Sequence, residues 1–135
     1  MLRTLAIFAI ASCLLLGCNI VWRRVLANPD RDQVIRVESG ERIYFDLEEN
    51  ASTGYLWDFV CDDPDVEVTI DHEPGECGAG VVGAPGHADV RLRIHRGYDG
   101  PSTIRFRYRR PWEAKPAKEF TISLFRRTGD CAFWE

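Results

Sequence analysis

The chain has 135 residues, 45% of them hydrophobic and 28% charged, with a formal net charge of −4. That length suits one domain, the composition excludes a disordered chain, and the negative balance argues against general nucleic-acid binding. The charge is unevenly spread: residues 30–89 hold 16 Asp/Glu against three Arg, whereas 90–127 hold 11 Lys/Arg against three acids. Two halves that pack together and attract one another explain this; a basic patch for a partner is the sharper alternative.

Residues 1–18 read as a leader. Arg3 precedes an apolar run from Leu5 to Leu16, the length of a signal core and short for a membrane span. Its end, Leu15-Leu16-Gly17-Cys18, resembles a bacterial lipoprotein lipobox, in which Cys18 becomes the acylated first residue; an ordinary cleaved signal is the alternative. Acyl chains hold a protein on a membrane without spanning it. By analogy with lipoprotein sorting in Gram-negative bacteria, Asn19 after the cysteine favours the outer membrane. Residues 19–32 then form a tether, 33–127 the domain and 128–135 a tail. Cys61, Cys77 and Cys131 remain for an oxidising compartment, enough for one disulfide whose pairing stays open.

After residue 32 no helical period appears. Strands are expected at Gln33–Val37, Arg42–Leu47, Tyr55–Val60 and Val66–Ile70. The stretch from Glu73 to Gly86 inclusive holds five Gly and two Pro, a loop long enough to suggest function. The clearest strands follow: Val90, Leu92 and Ile94 alternate with Arg91, Arg93 and His95, and Ile104, Phe106 and Tyr108 with Arg105, Arg107 and Arg109. Period two with one apolar face marks half-buried antiparallel strands. Phe120, Ile122 and Leu124 supply a last strand. About seven short strands with regular turns predict an all-β, immunoglobulin-like antiparallel sandwich. Trp57 belongs in its core, and Arg91, Arg93, Arg105 and Arg107 read as a solvated sheet face.

Three connections stand out. Asn50-Ala51-Ser52-Thr53-Gly54 is a turn-forming loop before an aromatic strand; Gly83-Ala84-Pro85-Gly86 lies just before another strand; Arg110-Pro111-Trp112 precedes the last. In order and spacing these resemble the loops of the chagasin family of cysteine-peptidase inhibitors, over about residues 33–126. That family carries Asn-Pro-Thr-Thr-Gly, Gly-x-Gly-Gly and Arg-Pro-Trp. The third match is complete. Ala51 and Ser52 replace Pro and Thr in the first, and Pro85 replaces a Gly in the second, for which Gly78-Ala79-Gly80 is a rival.

The resemblance implies that the loops converge into a wedge filling the active-site cleft of a papain-like cysteine peptidase. Asn50, Ser52, Thr53, Gly54, Gly83, Gly86, Arg110, Pro111 and Trp112 are then the contact residues. Glycines allow close approach, Ser52 and Thr53 bring hydroxyls, Asn50 braces its loop through side-chain bonds to backbone, and Trp112 is a rigid apolar anchor. Arg110 is free to stack or to pair with an acid. The protein is read as a monomer, not an enzyme, needing no cofactor or metal.

Enzyme readings are weaker. Cys61 or Cys77 with His72, His87 or His95 has no supporting spacing, nor has a metal site at His87 and Asp89 with His72. A surface-anchored adhesion or assembly module without inhibitory activity is the alternative from another class.

Overall fold

A computed structural model of the chain describes residues 21–27, 29–75 and 84–128. Among the described residues eight strands form two four-stranded sheets packed face to face. The strands are β1 (Arg23–Val25), β2 (Gln33–Val37), β3 (Arg42–Glu49), β4 (Leu56–Cys61), β5 (Val66–Glu73), β6 (Gly86–Ile94), β7 (Ser102–Arg109) and β8 (Lys118–Arg126). The first sheet has the order β1-β3-β6-β5 and the second β2-β8-β7-β4. The expected all-β sandwich is the fold observed. Seven strands fall where expected: β2 has the same ends, β4 is shifted by one residue so that Tyr55 lies outside it, and the others are longer by up to four residues at an end. Two pairings are parallel, β1 with β3 and β2 with β8, and the rest antiparallel. Arg23–Val25 lies within the stretch expected to be a tether.

The period-two pattern builds the core. Ile43, Phe45 and Leu47 of β3 and Ala88, Val90, Leu92 and Ile94 of β6 face Ile104 and Phe106 of β7 and Phe120, Ile122 and Leu124 of β8, all buried. Aromatic contacts run across and within the layers: Phe45 of the first sheet meets Phe106 of the second edge-on at 5.6 Å, and within the second sheet Phe106 stacks on Phe120 at 5.0 Å. Trp57 is buried as expected, against Phe120 at 5.4 Å and Tyr108 at 5.0 Å.

The inward face of β3 continues at both ends into carboxylates. Glu41 and Glu49 are each 3% exposed. Glu41 accepts from the Glu38 backbone N–H at 2.8 Å and pairs with Arg24 of β1 at 2.9 Å. Glu49 lies within 2.9 Å of His72 Nδ1 through both oxygens and accepts from the Trp57 backbone N–H at 3.1 Å. A buried carboxylate persists only when partnered in this way.

The four arginines read as one solvated face lie on two. Arg91 and Arg93 stand on the outer face of the first sheet, Arg105 and Arg107 on that of the second, because β6 and β7 belong to different layers. Arg91 pairs with Asp71, Arg93 with Glu67, Arg107 and Arg109 with Asp58, and Arg127 with Glu38. Basic second half therefore meets acidic first half, as the charge distribution implied.

Candidate functional site

Strand register decides where the connections lie. Glu49, the last residue of β3, is opposite Gly86, the first of β6, and Glu73 at the end of β5 is opposite His87. Leu56 at the start of β4 is opposite Arg109 at the end of β7, and Tyr108 is opposite Lys118. The β3–β4, β5–β6 and β7–β8 connections thus leave the sandwich at the same end.

The first loop is a single 3₁₀ turn, Ala51–Thr53, closed by Gly54 at φ 81°. The Thr53 N–H and hydroxyl both donate to the Asn50 carbonyl, at 3.1 and 2.7 Å, and the Gly54 N–H donates to the Ala51 carbonyl at 3.0 Å. The Ser52 hydroxyl donates to Asn50 Oδ1 at 2.6 Å. Both hydroxyl protons are held inside the loop, so the lone pairs are what Ser52 and Thr53 present outward. Asn50 braces the loop, but not by the expected side-chain bonds to backbone: its side-chain oxygen accepts from the Ser52 hydroxyl, its carbonyl accepts from Thr53, and its own N–H donates to the Tyr108 hydroxyl at 2.9 Å.

The third loop is held against the first. Arg110 Nε donates to the Thr53 carbonyl at 3.0 Å. Its guanidinium lies 4.5 Å from the Tyr55 ring centre and 5.9 Å from that of Trp112, and it pairs with Glu113 at 3.4 Å. Both roles open to Arg110, stacking and pairing with an acid, are used. A Cβ on Gly54 would sit 3.2 Å from Trp112 Cη2. Gly54 is therefore required twice, by its left-handed backbone and by the indole against it. Pro111 is exposed and Trp112 is 73% exposed, so the indole stands out from the core rather than capping it.

Of the middle loop the structure describes the neck. Gly86 is buried at the start of β6, where a Cβ would come within 2.4 Å of the Glu73 carbonyl oxygen and 2.8 Å of the Gly75 nitrogen. A Cβ on Gly75 would meet the Pro85 carbonyl at 2.2 Å. These glycines pinch the two ends together; Ala84 is half-buried and Pro85 exposed. Gly83, the rival Gly78-Ala79-Gly80, Cys18, Cys77 and Cys131 lie outside the described residues. Cys61 is the one cysteine within them, and its thiol is free.

Two groups that shape this end were not singled out from sequence. Tyr108 reads as one more apolar residue of β7, yet its ring stacks on Tyr55 at 5.3 Å while its hydroxyl holds Asn50. Glu49 ties β3, β4 and β5 together beneath the first loop, and Trp57 Nε1 adds a bond to the Glu48 carbonyl at 2.9 Å. Its signal was present: Glu49 continues the inward series Ile43, Phe45, Leu47, and a carboxylate on an apolar face needs an explanation.

Known proteins share this fold. Residues 36–124 match the family described as Chagasin family peptidase inhibitor I42. Amoebiasin-2 of Entamoeba histolytica is 28% identical over 105 residues, covering 74% of this chain and 82% of that protein. The crystal structure of the cysteine protease inhibitor EhICP2 from Entamoeba histolytica superposes with a TM-score of 0.65 at 23% identity, over 80% of this chain and 98% of the other. PbICP-C, solved in complex with falcipain-2, gives a TM-score of 0.52 at 20% identity, over 78% and 99%. The chain belongs to the chagasin family of peptidase inhibitors.

Proposed function

We propose that this protein is a reversible, competitive inhibitor of papain-like cysteine peptidases that works as a monomer. It presents the β3–β4, β5–β6 and β7–β8 connections as one edge to the active-site cleft. The observation that carries this reading is the lock between first and third loops: Arg110 joins the Thr53 carbonyl to the Tyr55 and Trp112 rings, and Trp112 rests on Gly54. Loops already ordered lose little entropy on binding. The 3₁₀ turn and left-handed Gly54 keep 50–54 out of the extended form a scissile peptide adopts. Ser52 and Thr53 offer acceptor lone pairs to the N–H donors of a Cys–His site. Trp112 supplies exposed apolar surface of the kind that dominates binding energy. EhICP2 is a cysteine protease inhibitor and PbICP-C is bound to falcipain-2 in its complex, which supports the same partner class here.

We also propose that Cys18 is acylated and holds the domain at a membrane of the bacterial cell envelope, on the strength of Leu15-Leu16-Gly17-Cys18. Titrating residues 19–135, which retain every described strand, into papain tests the inhibitory function. Tight, reversible loss of rate that excess substrate overcomes is expected. No loss of rate returns the protein to the class of adhesion modules.

A further inference from the structure

The outer face of the first sheet is ordered by charge along its strands. Register sets the rows across β1, β3, β6 and β5. At the end where the chain enters, Arg23, Arg42 and Arg93 stand side by side, with Glu67 on β5, and Val25, Tyr44, Arg91 and Thr69 follow. Next come Asp46, Asp89 and Asp71, and beside the loops Glu48, His87 and Glu73. Within the arginine row Arg93 is 3.7 Å from Glu67, and the Arg23 guanidinium lies 4.7 Å over the Tyr44 ring. Exposed apolar groups join the same end: Val21 is 43%, Trp22 58% and Val25 77% exposed.

We propose that this arginine-bearing end of the first sheet docks on an anionic phospholipid bilayer and turns the loop-bearing end away from it. The proposal rests on the reading of Cys18 as the acylated residue. The Trp22 carbonyl already accepts from the Arg42 N–H at 2.8 Å, so the covalent link from Cys18 to the sheet is about four residues. Such a link reaches about 14 Å at most, and acyl chains on Cys18 would bring the arginine row to the headgroups. Arginine is drawn to anionic headgroups and Trp to the interface between headgroup and acyl chain.

Distance sets the orientation. From Arg42 to Glu48 the strand rises about 20 Å, more than twice the Debye length of about 8 Å in physiological salt. With the arginines at the surface, Glu48 and Glu73 lie beyond the reach of the membrane field, the row of Asp46, Asp89 and Asp71 stands about 13 Å back, and Glu67, within the arginine row, is paired with Arg93. Lying flat on this face would press Asp46, Asp71 and Asp89 against like charge. The loops are then presented to peptidases in solution, not to the bilayer.

Sedimentation of residues 19–135, without acyl chains, with phosphatidylglycerol and phosphatidylcholine vesicles tests this face alone. At low salt at least tenfold stronger partition onto phosphatidylglycerol is expected, falling as salt rises. Each of Arg23→Gln, Arg42→Gln and Arg93→Gln should weaken it about fivefold. The triple Gln variant should bind phosphatidylglycerol no better than phosphatidylcholine, and a triple Lys variant should retain binding, which separates charge from misfolding. Papain inhibition by either triple variant should equal the parent's. Equal partition of the parent onto both vesicle types, or a Gln triple variant that binds like the parent, overturns the proposal. Vesicle binding by a parent that does not inhibit papain leaves this proposal standing and removes the inhibitory one.

Discussion

Trp112 and Gly54 meet across two loops, and their substitutions should separate binding from stability. Trp112→Ala removes an exposed anchor, so inhibition constants should rise about 30-fold, corresponding to ~2 kcal/mol, with an unchanged melting temperature. Gly54→Ala forces a Cβ into a left-handed backbone and to within 3.2 Å of the indole; about 1 kcal/mol of strain should lower the melting temperature and weaken inhibition together. Glu49→Ala strips partners from His72 and the Trp57 N–H. A loss of about 1–3 kcal/mol is expected, read by denaturant unfolding. Trp112 and Gly54 were legible because their motifs name them. The partner of Arg110 was not, since Thr53 and Tyr55 lie more than 50 positions away in the chain.

Strands differ in how plainly they announce themselves. β6 and β7 alternate apolar and basic residues over their central positions, and one buried face follows. β1 has only Arg23, Arg24 and Val25, and no pattern marks it. Its docking depends on a parallel register with β3 and on Glu41, a buried carboxylate that Arg24 partners. Across β3, β6 and β5 the row Asp46, Asp89 and Asp71 concentrates like charge. Burial, followed by the charges of Glu73 and Asp46, pushes the Asp89 carboxyl above its ordinary range. A carboxyl raised in the folded state favours folding below its unfolded pKa and opposes it above the folded one. Asp89→Asn should therefore raise the melting temperature at pH 7, and the gain should shrink as pH falls through the raised folded pKa and be gone below the ordinary carboxyl value of about 4. A gain that does not vary with pH would point to packing instead.

Over the whole molecule, acidic and basic halves meet through ion pairs such as Arg107 and Arg109 with Asp58. Burial pushes the Cys61 thiol up, and the charges of Asp63 and Asp62 add to this. Alkylation of Cys61 in the folded protein should be slower at pH 8 than in a denatured control, as mass spectrometry of the labelled peptide would show. Equal rates would mean that the thiol is as ionised as in a free chain.

Alternation of apolar residues, turn chemistry and three short motifs were enough to name the sandwich and the loops, because each is a property of neighbours in the chain. Which loops touch, which face each arginine takes and how Glu49 is satisfied depend on register between strands far apart in sequence. A shift of one residue would reverse every face, so only the packed tertiary structure decides them.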